Sequence, residues 1–210
     1  MKRKTSQILI IFILTLVSCT GDIAPTQNPT GYPSVDPTAT IIPTQTPSLL
    51  DSANRVVQAL VEKDLETVAE FVHPERGVRF SPYATVQEDH QVFKPEELPG
   101  LIESDTVYTW GREDGSGNPI ELTFAEYFDE FVASADFSNA EEVAVDEVIG
   151  QGNTPNNIGE FYPESSFVEY HFSGFDAQYE GLDWESLRLV FTEDMGTWFL
   201  IGIVHDAWTV

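Results

Sequence analysis

An abrupt change in composition near residue 47 most strongly limits what this chain can fold into. Residues 20–47 are mostly Thr, Pro, Ser, Gln and Asn, and proline recurs at every fourth position from Pro25 to Pro37. Such a segment buries too little apolar surface to offset the conformational entropy lost on folding. We therefore expect residues 19–47 to form an extended tether, and residues 48–210 to form one folded domain.

The first 18 residues have the order of a cleaved export signal. Three basic residues at 2–4 precede an apolar run from Ile8 to Val17, and Ser18 stands directly before Cys19. The apolar run is too short to span a bilayer, which requires about 20 residues. Residues 16–19, Leu-Val-Ser-Cys, resemble the bacterial lipobox, which implies that Cys19 carries a lipid and begins the mature chain. The alternative is an ordinary secretory signal in which the cysteine is incidental.

A lipid on Cys19 predicts a location in the cell envelope, on the outer side of the cytoplasmic membrane or on the outer membrane. Two or more acyl chains hold a protein durably, whereas a single chain holds it only marginally. At about 3.1 Å per residue, a fully extended tether would reach at most on the order of 90 Å from the membrane. The membrane is therefore one expected partner, contacted through the lipid anchor.

The charge balance disfavours other classes of partner. The chain has 35 acidic and 10 basic residues, and three of the basic residues belong to the leader, so the mature chain has a formal charge of 7 − 35 = −28. Such a surface repels phosphate backbones, so we expect no nucleic-acid partner. Because Cys19 is the only cysteine, the domain has no disulfide and no cysteine metal ligand.

The spacing of apolar residues predicts helices first and strands later. From Ser48 to Val72 the spacing is helical, with a charged break at 62–64 that predicts two helices, the second capped by Asp64. Thr123 and Glu126 form a capping box that begins an aromatic-faced helix. Strands are predicted at 107–111, 144–149, 167–172, 187–191 and 198–204, and a short strand or a turn at 78–83. This order is typical of an α+β fold with an antiparallel sheet.

Three segments carry a resemblance to a known family. Residues 71–83, 110–117 and 202–209 resemble segments of uncharacterised bacterial lipoproteins whose soluble part is nuclear transport factor 2-like (SnoaL-like). The resemblance implies a cone, in which a curved antiparallel sheet packs on amino-terminal helices and encloses a pocket. Cones of this type serve as isomerases, cyclases, dehydratases and binding modules, so the fold alone does not establish the function.

In such a cone, strand residues that face the pocket are the candidates for chemistry. Glu169 and His171 share one strand face, and Arg188 is the lone basic residue of the next strand. An ion pair between Arg188 and Glu169 would orient His171 as a general acid or base. The alternative is that the three residues form a charge ladder on the solvent face. His205 would approach from the last strand, whereas Asp206 points to the opposite face.

His73 is the second candidate for proton transfer, at a pocket rim formed with Tyr83 and Trp110. The alternative interpretation makes His73 an ordinary residue at a helix end. Five further aromatic residues are interpreted as core: Tyr127, Phe128, Phe131, Trp198 and Trp208.

The sequence favours a non-catalytic module that binds a small molecule or an envelope protein. The alternative is a cone-type enzyme, an isomerase, dehydratase or hydrolase that uses a pocket histidine for proton transfer. We expect no cofactor and no metal, because the chain has no glycine-rich phosphate cradle and no histidine pair at ligand spacing. A purely structural role is a third possibility, which a fully packed cone would favour.

Overall fold

The computed structural model describes residues 47–209, so the predicted leader at 1–18, Cys19 and the tether through residue 46 lie outside the described residues. The helices are α1 (Leu49–Val61), α2 (Leu65–Phe71), α3 (Phe124–Tyr127), which continues as a π-helical turn over Phe128–Val132, and α4 (Ile158–Phe161). Single 3-10 turns lie at Pro95–Glu97, Leu101–Glu103, Phe137–Asn139 and Ala177–Tyr179. Within residues 47–209, every helix is too short or too polar to cross a membrane.

The strands form one large sheet and one separate hairpin. They are β1 (Val78–Ser81), β2 (Val92–Phe93), β3 (Val107–Arg112), β4 (Pro119–Thr123), β5 (Glu142–Val145), β6 (Ser166–Phe172), β7 (Glu185–Asp194) and β8 (Thr197–Ala207). The large sheet has the order β2-β1-β8-β7-β6-β5, and β3 pairs only with β4. The α+β class is therefore confirmed.

One strand pairing differs from the antiparallel expectation. β1 runs parallel to β8, with Phe80 opposite Ile203, whereas the other pairs of the sheet are antiparallel. The expectation was wrong here because no tight turn joins these two strands. The chain between them passes through most of the domain, so a turn does not fix their relative direction.

The first two helices begin where the sequence predicts, and a side-chain cap is present at the start of each. The Ser48 hydroxyl accepts a hydrogen bond from the Asp51 N–H, and the Asp51 carboxylate accepts one from the Ser48 N–H. Asp64 accepts from the Thr67 N–H at 3.0 Å and starts α2. Caps of this kind satisfy backbone donors that the first turn leaves unpaired, so short polar side chains define where these helices begin.

Helices α1, α2 and α3 pack on one face of the sheet, which we call the inner face, whereas α4 packs on the opposite face. Val168 and Tyr170 of β6 face α1, and the Tyr170 hydroxyl donates to Asn54 Oδ1 at 2.9 Å. Aromatic side chains fill the space beneath the helices; Trp110 is fully buried and stacks on Tyr127 with ring centroids 3.9 Å apart. The side of the sheet on which the cone resemblance implied a pocket is therefore occupied by core side chains.

The opposite face of the sheet, the outer face, is covered by a non-helical segment that the sequence analysis assigned in part to a strand. β5 ends at Val145 rather than Ile149, because Asp146 adopts a positive φ of 54° and turns the chain. Residues 146–157, which we call the cover segment, then cross the outer face. Trp208, predicted to be core, is 45% exposed because it lies beyond the end of β8.

Candidate functional site

A fully buried arginine lies at the centre of the outer face. Arg188 of β7 is opposite Glu169 of β6, and its Nε donates to Glu169 Oε2 at 2.8 Å. Its Nη1 donates to Asp206 Oδ2 of β8 at 2.8 Å, and its Nη2 donates to the Gly150 carbonyl of the cover segment at 2.6 Å. The guanidinium therefore joins three strands and the segment above them.

Glu169 receives further donors that hold the cover segment in place. Its carboxylate accepts from the Gly150 N–H at 2.9 Å, from the Ile149 N–H at 3.2 Å and from the Ser186 hydroxyl at 2.6 Å. The absence of a side chain at Gly150 permits this approach, because a Cβ there would overlap the Ser186 hydroxyl and the Trp184 ring. The Glu169 carboxylate, the guanidinium and the Gly150 backbone thus satisfy one another away from water, whereas Asp206 Oδ1 has no hydrogen-bond partner within residues 47–209.

The predicted pairing of Glu169 with Arg188 is confirmed, but the predicted surroundings are wrong. Both side chains are 0% exposed, so they do not form a charge ladder on the solvent face. They also face away from α1, α2 and α3, because the alternate residues Val168 and Tyr170 occupy the inner face. Residues 146–157 cover the pair, which explains how charged side chains can be buried on the face opposite α1, α2 and α3.

His171 belongs to the same buried network. Because the Ser186 hydroxyl donates to Glu169, its oxygen accepts from His171 Nδ1, which lies 2.8 Å away. This arrangement assigns the proton of a neutral imidazole to Nδ1 and leaves Nε2 as the basic atom. Burial lowers the pKa of His171, so the neutral form is favoured.

His205 lies on the other side of the sheet from His171. It is opposite Leu187, and its ring packs edge-on against Phe131 with centroids 5.6 Å apart. Its Nδ1 lies 3.0 Å from the Pro82 carbonyl, and burial lowers its pKa. The sheet therefore separates His205 from the Glu169 network, whereas Asp206 joins that network on the outer face as its strand position predicts.

The structure does not bring His73, Tyr83 and Trp110 together as a pocket rim. His73 Nδ1 accepts from the Glu75 and Arg76 N–H groups, both at 3.1 Å, and so closes the turn after α2. Trp110 is buried in the inner core, where its Nε1 donates to the Leu122 carbonyl. The rim prediction was wrong because Trp110 is a packing residue; Tyr83 alone borders a cavity.

That cavity, the Tyr83 cleft, has a volume of about 350 Å³. Three segments form its walls: the loop after β1, the tip of the β3–β4 hairpin and the cover segment. Its lining residues are Tyr83, Thr85, Gln87, His90, Arg112, Glu113, Asp114, Asn153, Thr154 and Pro155. The mixture of one aromatic ring, a guanidinium, amides and hydroxyls is suited to a small polar ligand.

Asp114 joins two walls of the Tyr83 cleft. Its carboxylate accepts hydrogen bonds from the hydroxyls of Thr154 and Thr209, and these bonds hold its pKa below the usual range. Across the cleft, the Val86 N–H donates to Asn157 Oδ1 at 2.8 Å, and Asn157 Nδ2 donates to the Val86 carbonyl at 3.0 Å. The hairpin tip and the loop after β1 are thus both attached to the cover segment.

His90 is the buried titratable group of the cleft. Its Nδ1 lies 3.3 Å from the Gln87 N–H and 3.0 Å from the Ser81 hydroxyl. Burial lowers the pKa of His90 to about 4, so the ring is neutral at neutral pH. Because Nδ1 accepts from the Gln87 N–H, the proton is assigned to Nε2, which makes that atom a donor.

Sequence reasoning missed several of these residues. Asp206 was not considered as a site residue because it faces away from His205. The signal that could have identified it is Arg188, because a lone arginine in a buried strand requires a counter-charge on its own face of the sheet. The cleft residues His90 and Arg112 gave no local signal, because the cleft forms only when segments about 70 residues apart in sequence meet.

The comparisons with known proteins do not assign this chain to a family. No protein-family model matches the chain, and no curated protein matches it. One similar solved structure, from Xanthomonas campestris, is described as a calcium/calmodulin-dependent protein kinase II association domain; it shares 12% identity over 74% of this chain and 81% of that one, at a TM-score of 0.30. Another is a DUF4783 family protein from Bacteroides ovatus, with 8% identity over 74% and 94% of the chains, at a TM-score of 0.29. These scores are too low to carry a fold or a function over to this chain.

Replacement of Glu169 by Gln should destabilise the domain by about 3–5 kcal/mol, because it leaves the buried Arg188 without its main counter-charge. The glutamine would also place its NH₂ group against the N–H of Arg188 or of Gly150, each of which now donates to a carboxylate oxygen. Urea unfolding followed by tryptophan fluorescence measures the difference. The control is Glu193→Gln on the exposed end of β7, for which we expect a change of less than about 0.5 kcal/mol. Equal effects from the two variants would contradict the central role of the cluster.

Ionisation of Asp206 should make the domain less stable as the pH rises, whereas a carboxylate paired in the folded state usually makes a protein more stable. Burial raises the pKa of Asp206 from 3.8 to about 6, outweighing the neighbouring Arg188. The folded state therefore binds this proton more tightly than the unfolded state, and stability falls as pH rises from about 4 to about 6, by roughly 3 kcal/mol. Asp206→Asn keeps an acceptor for Arg188 and removes the titration. The free energy of unfolding is measured against pH for both proteins, and the difference, parent minus variant, should fall between about pH 4 and pH 6. A difference that does not change with pH would contradict the raised pKa of Asp206.

Proposed function

We propose that this chain is a lipid-anchored protein of the cell envelope whose folded domain binds a small polar ligand in the Tyr83 cleft. The observation that carries the binding proposal is the cleft itself. Its volume of about 350 Å³ is in the range of small-molecule sites, which begins near 300 Å³. Buried aromatic residues fill the space between the helices and the inner face, so we assign ligand binding to the cleft on the outer face.

The lining of the cleft indicates the chemistry of the ligand. Arg112 uses Nη1 for the Gly117 carbonyl at 3.0 Å and retains further donors. Gln87 is exposed at the mouth, and His90 Nε2 is a neutral donor. A ligand with several hydroxyl or carbonyl oxygens would satisfy these donors while one of its faces packs against the Tyr83 ring.

The anchor is supported by the sequence. The order of basic residues, apolar run and Ser18-Cys19 is typical of a lipoprotein signal, and the tether after it would hold the domain away from the bilayer. The membrane is then a partner through the lipid on Cys19.

A nuclear transport factor 2-like fold is part of the proposal. The order of a capped helix pair, a short strand, an aromatic-faced helix and three long antiparallel strands, β6 to β8, supports it. The filled inner face departs from the hollow cone that this family resemblance implies. The departure favours a binding role at the cleft over chemistry inside the cone.

An enzymatic alternative is favoured by one observation, the hydrogen-bonded chain from His171 through Ser186 to Glu169. This chain would support proton transfer at His171 Nε2. His171 is 7% exposed, and the Tyr83 cleft is lined by other residues. A proton-transfer function would therefore require a substrate path to His171 that is separate from the cleft.

Lipidation is tested by expressing the full chain in a bacterial host supplied with an alkyne fatty acid. The parent chain should be labelled and sediment with membranes, because acyl chains partition into the bilayer. Cys19→Ala should be unlabelled, whereas the neighbouring Thr20→Ala should behave like the parent. An unlabelled parent chain in the soluble fraction would contradict the anchor.

Ligand binding is tested by thermal-shift screening of the intact chain in mild detergent against envelope sugars and metabolites. For a ligand that raises the melting temperature, Arg112→Gln should weaken binding about tenfold or more, the effect expected for loss of a charged hydrogen bond. Arg55→Gln, an exposed arginine on α1, is the matched control and should not change affinity. His171→Gln separates the alternatives, because it should leave cleft binding intact. A ligand whose affinity depends on His171 and not on Arg112 would contradict the cleft assignment.

A further inference from the structure

A second, smaller cavity lies on the outer face beside β1 and α4. Its volume is about 110 Å³, and its lining includes Arg76, Arg79, Phe161 and Tyr162. It shares no lining residue with the Tyr83 cleft. Two arginines at one small cavity are a local exception in a chain whose predicted mature form has 7 basic and 35 acidic residues.

Arg79 is held rigidly at this cavity. Its Nη1 lies 2.8–3.1 Å from the carbonyls of Gln87, Glu88 and His90, and its guanidinium lies 5.2 Å from the centroid of the Phe161 ring. The nearest carboxylate oxygen, on Glu88, is 3.9 Å from Nη2 on a side chain that is 90% exposed. Such a distant, hydrated counter-ion neutralises Arg79 only weakly.

Tyr162 provides a buried donor for which the described residues offer no acceptor. Its residue surface is 5% exposed, and within residues 47–209 its hydroxyl proton has no acceptor, although the Arg79 guanidinium lies close enough to counteract part of the rise in its pKa. The ring is seated over Gly202, where an added Cβ would lie 3.1 Å from the hydroxyl oxygen. Burial raises the pKa of Tyr162 to about 12, so the hydroxyl keeps its proton. A buried hydroxyl left unpaired is unfavourable, which suggests that something else accepts from it.

Arg76 completes the set at the solvent side. Its backbone is held by the hydrogen bond from its N–H to His73 Nδ1. Its side chain is exposed and makes no ion pair within the described part of the chain. It is therefore available to cover a ligand that enters the cavity.

We propose that this cavity binds a small oxyanion of the phosphate or phosphomonoester type. Tyr162 and the free nitrogens of Arg79 donate from below, and Arg76 donates from the mouth. The three functional groups carry donors and positive charge, which is the requirement of an oxyanion. A planar carboxylate would be satisfied by one guanidinium fork, whereas a tetrahedral phosphate has oxygens for all three groups. The volume admits one such group, with any larger body remaining outside. This site does not depend on the ligand of the Tyr83 cleft.

The test is isothermal titration of the intact chain in detergent with inorganic phosphate at constant ionic strength. The strongly negative net charge repels anions in general, so saturable one-to-one binding reports a local site. Arg76→Gln should weaken binding at least about fivefold, and the matched Arg55→Gln should leave it unchanged. Glu88→Gln should tighten binding, because it removes the only carboxylate described near Arg79 Nη2.

Tyr162→Phe distinguishes binding from folding. The hydroxyl donates to no group within residues 47–209, so its removal should leave the melting temperature without phosphate unchanged or higher, while phosphate binding weakens at least about fivefold. Glycerol 3-phosphate and acetate are titrated in parallel. Tighter binding of the ester identifies a phosphorylated molecule as the source, and tighter binding of phosphate identifies the free ion; both support the site. No saturable phosphate binding, acetate binding as tightly as phosphate, or unchanged binding in Arg76→Gln and Tyr162→Phe would overturn it.

Discussion

The guanidinium of Arg188 is buried on the outer face of the sheet beneath the cover segment, and the rest of that face is organised around it. A buried charge is tolerated only when it is paired and its donors are satisfied. Glu169 and Asp206 supply the charge from the two neighbouring strands, and the Gly150 carbonyl supplies the remaining acceptor. Because one of these partners belongs to the cover segment, the segment is required for the arginine to be buried at all.

The cover segment connects this cluster to both candidate sites. After Gly150 it forms the cleft wall at 153–155, and Asn157 at its end bonds the backbone of Val86 across the cleft. The chain then enters α4, and Phe161 and Tyr162 at the end of this helix border the smaller cavity. The inner face, by contrast, is packed by aromatic side chains and serves stability. We therefore propose that the outer face, rather than the packed inner face, carries the function.

Local features of the fold could be predicted from the sequence because they depend on neighbouring residues. The caps at Asp64 and Thr123 and the pairing of Glu169 with Arg188 are of this kind. The face on which that pair lies could not be predicted. β6 carries apolar residues on both faces, so alternation does not show which face is covered. The cover segment contacts the pair mainly through its backbone, and such contacts produce no recognisable pattern of side chains in the sequence. The two cavities escaped prediction because their walls meet only in the folded chain.

Hydrogen exchange of the Ile149 and Gly150 amides in the unmodified protein tests this account most directly. Both lie in a segment without regular secondary structure, where amides ordinarily exchange fast. Since their N–H groups are bonded to the buried carboxylate that pairs with Arg188, both should exchange as slowly as the amides of β6 and β7. Exchange at the rate of an exposed loop would show that the outer face is not built around this cluster.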